Sequence, residues 1–152
     1  MFADAKLDAA IDDIVGLKFA NGGQICVSPN RAYIEASVYG EFLEKAAAKA
    51  AAYTFGSGDA DKAPGATILQ PVVSEDALKR LLQLISDAVE KGARLVCGGN
   101  RVNKAGFFLE PTILAEVTDA MDLSCTEIFG PILAVRSFDD RNAVFDKCVG
   151  LS

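Results

Sequence analysis

The stretch RAYIEASVYGEFLEKAAAKAAAYTF, residues 31–55, joins the two patterns that decide the fold. Residues 31–36 alternate between apolar and polar side chains enough to indicate a short strand. The alanine-rich sequence that follows predicts a helix over about residues 38–53, because alanine has the highest intrinsic helix propensity. A strand followed directly by a long helix is the repeating unit of α/β proteins.

The same alternation continues on both sides of this stretch. An apolar stripe with helical spacing precedes it and ends near residue 19, where Asn21 and two glycines follow; it comprises Leu7, Ala10, Ile11, Ile14 and Val15. A second helix is predicted from an N-cap at Ser74 to Lys91, with Gly92 in the left-handed position beyond its end.

Short strands are predicted at residues 94–97 and 132–138, and a final helix over 139–147. Residues 107–117 are extended but contain Pro111, so we expect an edge strand at best. Residues 56–71, rich in Gly, Pro and Asp, predict a connection. The fold class is therefore α/β, with a largely parallel sheet flanked by helices, and residues 1–152 form a single domain.

Composition excludes several classes of protein. The net charge is −6 over 152 residues with no basic block, which argues against a nucleic-acid partner. No apolar run approaches the ~18 to 20 residues of a membrane span, and the N-terminus lacks the blocks of a signal peptide. We therefore predict a cytoplasmic protein with no membrane partner.

The chain contains no histidine and four cysteines, Cys26, Cys97, Cys125 and Cys148. Without histidine there is no Ser-His-Asp triad, no Cys-His dyad and no His-ligated metal, and no cysteine pair has the C-x-x-C spacing of a zinc site. No metal site is predicted. We expect most of the four cysteines to be small buried hydrophobic residues.

Cys26 stands in the most unusual run of the chain, FANGGQICVSPNR at residues 19–31. It follows a break in a helix, where functional side chains are common, and Gly22 and Gly23 permit a ligand or another backbone to approach closely. The residues alone leave two interpretations open: a nucleophile, or one more small core residue.

A second candidate is EIFGP, residues 127–131, immediately before an apolar strand. Glu127 could simply face solvent at the entry of the strand. Alternatively, its carboxylate accepts hydrogen bonds from ligand hydroxyls while Phe129 offers the face of its ring.

Taken together, these runs resemble the two signatures of the aldehyde dehydrogenase family, F-x-N-x-G-Q-x-C with an Arg five residues further on, and E-x-F-G-P about a hundred residues downstream. Between them, EKGARLVCGGNR and GFFLEPTIL resemble the middle section of the family. The run GQICVSPNR is most similar to members that act on succinic or α-ketoglutaric semialdehyde.

The resemblance implies oxidation of a small-molecule aldehyde to a carboxylic acid with NAD or NADP as cofactor. The cysteine matching Cys26 attacks the aldehyde as a thiolate, and the resulting thiohemiacetal becomes a thioester that water hydrolyses. By the same match, Glu127 binds the nicotinamide ribose hydroxyls and Phe129 lies beside the nicotinamide. Other motif residues are expected to shape the loop: Asn21, Gly23, Gln24, Arg31 and, at the turn, Pro131.

Members of this family are roughly three times longer, so residues 1–152 correspond to a nucleophile-bearing part of the catalytic domain without the dinucleotide-binding domain. We expect no dehydrogenase turnover from this chain alone, and association into a homo-oligomer through exposed apolar faces. Two alternatives remain at this level: a non-catalytic binding module that reuses the fold, and another thiol enzyme with an unusual base.

Overall fold

The computed structural model of the protein describes residues 1–57 and 67–149, in which helices alternate with short strands. The helices are α1 (Leu7–Phe19), α2 (Ala36–Ala51), α3 (Glu75–Glu90), the single-turn α4 (Asp122–Cys125) and α5 (Arg141–Val149). The strands are β1 (Arg31–Glu35), β2 (Tyr53–Phe55), β3 (Thr67–Leu69), β4 (Arg94–Cys97), β5 (Thr112–Ala115) and β6 (Ile132–Phe138). None of the helices in these two ranges is long and apolar enough to cross a membrane.

Four strands form the main sheet in the order β1-β6-β5-β4. β6 pairs in parallel with both β1 and β5, and β4 is antiparallel to β5. A separate pair, β2 and β3, is also parallel. The prediction of an α/β fold with a largely parallel sheet and flanking helices is confirmed.

Side chains of β5 and β6 point alternately into two apolar cores, one on each face of the sheet. Leu114 and Ile132 pack with the apolar face of α3, whereas Ile113 and Leu133 pack with α1 and α2. All four residues of β5 are buried, as are the first four of β6. Strands covered by helices on both faces are apolar along most of their length, which explains the unbroken apolar runs ILA in β5 and ILAV in β6.

The helix ends follow local chemistry. The Ser74 side chain accepts a hydrogen bond from the backbone N–H of Ala77 at 3.1 Å, the N-cap that the sequence predicts. Gly92 has a φ of 100°, a conformation that L-residues rarely adopt, and it follows the last turn of α3.

One strand prediction is wrong. Within residues 107–117, β5 is an interior strand, hydrogen-bonded on both sides, and the edge strands of this sheet are β1 and β4. Pro111 stands immediately before β5, so its missing N–H removes no hydrogen bond from the ladder.

The connection predicted at residues 56–71 and the helix predicted over residues 38–53 also need correction. The helix ends at Ala51, and the three residues Tyr53–Phe55 pair instead with Thr67–Leu69 near the end of the connection. Three-residue strands are too short to show a period in the sequence. The rest of the predicted connection, residues 58–66, lies outside the described residues.

The expectation that most cysteines are buried is wrong as well. Cys26, Cys125 and Cys148 are exposed, and Cys97 is half-buried. Burial raises the pKa of the Cys97 thiol, whose sulfur lies 3.7 Å from the carbonyl oxygen of Pro111. Because three of the four cysteines are exposed, packing in the core does not explain why cysteine stands at these positions.

Candidate active site

Cys26 lies in a loop, residues 20–30, that joins the end of α1 to β1; we call this segment the cysteine loop. It begins with a turn of 3-10 helix, Ala20–Gly23, in which Asn21 has a φ of 51°. The backbone N–H of Ser28 then donates to the carbonyl of Ile25 at 3.0 Å, closing a turn with Cys26 and Val27 at its centre. Cys26 is thereby presented to solvent at the tip of a hydrogen-bonded turn.

Gln24 fastens the cysteine loop to the segment before α3. Its amide oxygen accepts from the backbone N–H of Val73 at 2.8 Å, and its amide nitrogen donates to the carbonyls of Pro71 and Asn21, each at 3.1 Å. Three of the four hydrogen bonds that a glutamine amide can make are therefore formed. The sequence predicts a loop-shaping role for Gln24, and these contacts show how it restrains the loop.

The residues of EIFGP form a second segment, residues 127–131, which we call the carboxylate turn. Its backbone lies directly against the cysteine loop at Gly23, which has a φ of 74°. A Cβ atom at this position would stand 2.2 Å from the carbonyl oxygen of Gly130. Only glycine fits there, so the close approach that the paired glycines allow is made by another backbone.

Asn30 holds the two segments together from the other end of the cysteine loop. Its side-chain oxygen accepts from the backbone N–H of Ile128 at 2.8 Å, and its side-chain nitrogen donates to the carbonyl of Thr126 at 3.0 Å. The next residue, Arg31, donates to the carbonyl of Ser124 at 2.9 Å. All three contacts join residues more than ninety positions apart in the chain, which brings the two signatures side by side.

Arg80 of α3 supports the carboxylate turn from behind. Its guanidinium donates to the carbonyls of Glu127, at 3.3 Å, and Ile128, at 2.5 Å. Phe129 follows with a φ of 46°, an uncommon conformation for a residue with a bulky side chain. Such backbone strain persists only where the surroundings fix it, and it is concentrated at functional sites.

The two residues predicted to contact a cofactor, Glu127 and Phe129, both have exposed side chains. The Glu127 carboxylate is exposed and accepts no hydrogen bond from a residue in the described ranges. The Phe129 ring is 42% exposed. Both side chains are thus free to contact a ligand that has hydroxyl groups and an aromatic ring.

One charged side chain lies buried close to this site. Lys18, in the last turn of α1, is only 1% exposed, and its carbonyl accepts from the Ser28 hydroxyl of the cysteine loop at 3.5 Å. Burial lowers the pKa of the Lys18 ammonium to about 8, and the nearby negative charge of Glu127 opposes that shift.

Sequence reasoning missed three residues of this site, Lys18, Asn30 and Arg80. Asn30 stands inside the quoted motif, but nothing in the sequence reveals that its partner is Ile128. Arg80 appears as an ordinary polar position on an amphipathic helix. Of the three, only Lys18 could have been noticed in the sequence, because it is a charged residue next to the apolar face of α1.

The sequence profile of the aldehyde dehydrogenase family matches residues 1–148. The chain therefore belongs to the aldehyde dehydrogenase family, and the resemblance seen in its motifs is confirmed. The assignment of individual roles to Cys26, Glu127 and Phe129 stays a prediction.

Individual relatives agree with this assignment. The probable succinate-semialdehyde dehydrogenase (NADP+) of Sinorhizobium fredii is 42% identical over 145 residues, which is 95% of this chain and 28% of that protein. The 3-sulfolactaldehyde dehydrogenase of Pseudomonas putida is 40% identical over 147 residues, 96% of this chain and 29% of that protein.

Solved structures give the same result for the fold. A succinate-semialdehyde dehydrogenase from Burkholderia pseudomallei superposes with a TM-score of 0.91 at 35% identity, covering 99% of this chain and 30% of that one. An aldehyde dehydrogenase from Brucella melitensis biovar abortus 2308 gives a TM-score of 0.89 at 40% identity, covering 98% and 30%. The chain thus spans less than a third of the length of these relatives.

Proposed function

We propose that this chain supplies the nucleophile and a cofactor contact for the NAD(P)-dependent oxidation of an aldehyde to a carboxylic acid. The observation that carries the proposal is the joint between the cysteine loop and the carboxylate turn. Gly23 lies against the backbone of Gly130, and Asn30 bonds Ile128, so that an exposed thiol and an exposed carboxylate belong to one fixed unit.

Cys26 performs the covalent steps. Its thiolate forms a C–S bond to the aldehyde carbon while the carbonyl π electrons move to oxygen, and the backbone N–H of Cys26 itself donates to that oxyanion. After the carbon has lost a hydride, the Cys26 sulfur holds the acyl group as a thioester. Water then adds to the thioester, the C–S bond breaks and the acid leaves, which restores the thiol.

The bound nicotinamide cofactor supplies the hydride acceptor for this oxidation. Glu127 and Phe129 are the residues of this chain that would hold it: the carboxylate accepts hydrogen bonds from ribose hydroxyls, and the ring lies beside the nicotinamide. The exposure of both side chains fits this task.

The proposed substrate is a short aldehyde that bears an acid group, a semialdehyde such as succinic semialdehyde. Two relatives support this class: one is named for succinate semialdehyde and one for 3-sulfolactaldehyde. A carboxylate and a sulfonate are both anions attached to a small aldehyde skeleton.

We expect no steady turnover from the 152-residue chain by itself. The chain spans under a third of the length of its relatives, so most of the residues that such an enzyme uses would lie outside it. Following reduced nicotinamide by absorbance with succinic semialdehyde and either cofactor tests this expectation, and a sustained signal would contradict it.

The nucleophile can be tested without turnover. Iodoacetamide labelling followed by mass spectrometry compares Cys26 with Cys125 and Cys148, which are also exposed and serve as internal controls for access. We expect Cys26 to react fastest, and succinic semialdehyde to slow the labelling of Cys26 alone by occupying its sulfur reversibly. Succinate, which has no aldehyde carbon, should give no protection. Equal rates at the three cysteines and no protection would contradict the proposal.

A further inference from the structure

Arg80 of α3 differs from most other arginines of the chain in the groups that its guanidinium contacts. The others that form ion pairs with carboxylates are Arg94, Arg101, Arg136 and Arg141. Arg80 is half-buried and donates instead to two backbone carbonyls of the carboxylate turn, those of Glu127 at 3.3 Å and Ile128 at 2.5 Å. Hydrogen bonds from a charged donor are stronger than those between neutral groups, so this contact restrains the turn firmly.

The contact bears directly on the strained backbone of Phe129. The Ile128 carbonyl belongs to the peptide group that leads into Phe129, so the direction of this carbonyl is coupled to the φ of Phe129, which is 46°. Two consecutive carbonyl oxygens share one guanidinium only when both peptide groups turn toward it. Arg80 contacts the main chain of Glu127, whose side chain is exposed to solvent. The arginine therefore fixes the backbone without covering the carboxylate.

The helix that carries Arg80 contacts both segments of the site. The next residue, Leu81, packs on the carboxylate turn, because a Cβ atom at Gly130 would stand 2.5 Å from either methyl carbon of Leu81. Just before α3, the backbone N–H of Val73 donates to the Gln24 side chain of the cysteine loop at 2.8 Å. Arg80 thus stands on an element that is itself fixed relative to the cysteine loop.

We infer that Arg80 is a positioning residue for the cofactor contacts. By holding two consecutive carbonyls it imposes the positive φ of Phe129, and so directs the Phe129 ring and the Glu127 carboxylate toward one ligand. The inference rests on the proposed function only for the identity of that ligand, the nicotinamide and its ribose. The backbone geometry itself needs no ligand. Arginine suits this task better than lysine, because its planar fork presents several N–H donors at once.

NMR spectroscopy of the isotope-labelled 152-residue chain tests the inference without a cofactor. At a positive φ, the amide proton and the α proton of one residue lie closer together than at a negative φ, which gives a strong NOE between them. We expect this strong NOE at Phe129 in the wild type. In Arg80→Met, which keeps the aliphatic chain but has no donor, it should decrease to the level of residues with negative φ. Arg80→Lys, which keeps a charged donor, should retain more of it than Arg80→Met.

Two controls accompany this measurement. Lys79→Met removes a charge at an exposed position of the same helix and should leave the Phe129 NOE unchanged. Asn21 of the cysteine loop also has a positive φ, 51°, and its strong NOE should persist in every folded variant. If Arg80→Met does not fold, Arg80→Gln, a polar side chain too short to reach both carbonyls, is interpreted in the same way.

A Phe129 NOE that keeps its wild-type strength in the folded Arg80 variant without a charged donor would overturn the inference. An equal decrease in Lys79→Met would overturn it as well. The labelling of Cys26 is a separate measurement, so failure of the proposed function would leave this result interpretable.

Discussion

The cysteine loop and the carboxylate turn are held in place by opposite means. The loop is restrained by its own side chains, since Gln24 and Asn30 reach out to backbone groups elsewhere. The turn is restrained by side chains of other segments, Asn30 and Arg80, acting on its backbone. Both segments contain a residue other than glycine with positive φ, Asn21 and Phe129.

Because of this difference, the groups that hold the site together are distinct from the side chains that are available to bind or react. A turn fixed through its backbone leaves its own side chains free, which is how Glu127 and Phe129 remain exposed next to a rigid joint. The loop commits the side chains of Gln24 and Asn30 to structure and leaves the thiol of Cys26 exposed at its tip. Sites that must bind and react need such preorganisation, because groups that are already positioned lose little freedom on binding.

Replacing the glycine at the joint should have the largest effect. Gly23→Ala places a Cβ 2.2 Å from the Gly130 carbonyl oxygen at a φ unfavourable for alanine, and we expect the free energy of unfolding to fall by roughly 4 kcal/mol. Urea denaturation measures the loss. Gly16→Ala is the control: nothing lies within 4 Å of its Cβ in α1, so stability should rise by about 0.5 to 1 kcal/mol. Equal midpoints for the two variants would contradict the described joint.

Removing the buried charge of Lys18 at the end of α1 should stabilise the chain. The lowering of the Lys18 pKa from 10.5 to about 8 corresponds to about 3 kcal/mol of destabilisation at neutral pH. We therefore expect Lys18→Met to raise the free energy of unfolding by up to that amount at pH 7.

The pH dependence of that gain has a definite sign. Between pH 8 and 10.5 the unfolded chain holds a proton on Lys18 that the folded chain lacks, so the stability of the wild type rises with pH there. The advantage of Lys18→Met should be full below pH 8 and shrink as pH approaches 10.5. Lys79→Met, at an exposed position of α3, should change little. Urea denaturation midpoints of Lys18→Met and the wild type, measured near pH 8 and near pH 10.5, test this expectation. A stability gain of Lys18→Met that does not change with pH would argue against a buried charge at Lys18.

Cutting the polar connection should have an intermediate effect. Asn30→Ala removes the hydrogen bonds to Ile128 and Thr126 and should destabilise the chain by about 2 kcal/mol. Asn103→Ala, at an exposed position, should cause almost no change in the same denaturation experiment. If Asn30→Ala and Asn103→Ala have the same free energy of unfolding, the side chain of Asn30 does not connect the cysteine loop to the carboxylate turn.

The smallest effect expected is weak self-association. Large apolar side chains remain exposed at Leu17, Val27, Val73, Val89, Leu95, Phe129 and Phe145. Val27 and Phe129 lie on the two segments of the site, so we expect the pair Val27→Ser and Phe129→Ser to reduce association more than Leu95→Ser on β4. Sedimentation velocity over a range of concentrations measures this, and a monomer at every concentration would refute the expectation.

Local rules account for the parts of the fold that the sequence predicts. Ser74 begins α3 through a side-chain hydrogen bond to a residue three positions on, and Gly92 follows the end of α3 because glycine tolerates a positive φ. The same rules gave a wrong prediction at Pro111: proline is rare inside a strand, but this proline stands immediately before β5 and not within it. For β5, burial between two helical layers decides the position in the sheet, and that is a property of the assembled fold.

Some residues of the site could likewise be predicted from local sequence, and others could not. Cys26 and Glu127 could be selected from their motifs, and the fold brings the two motifs together as one unit. Arg80 could not be selected, because an arginine on an amphipathic helix is compatible with many partners and its acceptors are 47 and 48 positions away. Nor did the composition reveal that three of the four cysteines are exposed.

The pairing of β1 with β6 has a consequence for biosynthesis. Arg31 lies beside Ala134 in the sheet, so about a hundred residues must leave the ribosome after Cys26 before the carboxylate turn can meet the cysteine loop. During that interval the thiol belongs to an unfinished chain and is an ordinary exposed cysteine. Until the carboxylate turn has been synthesised, the backbone groups of Thr126 and Ile128 that Asn30 bonds do not exist, so the cysteine loop cannot yet be fixed in its final position.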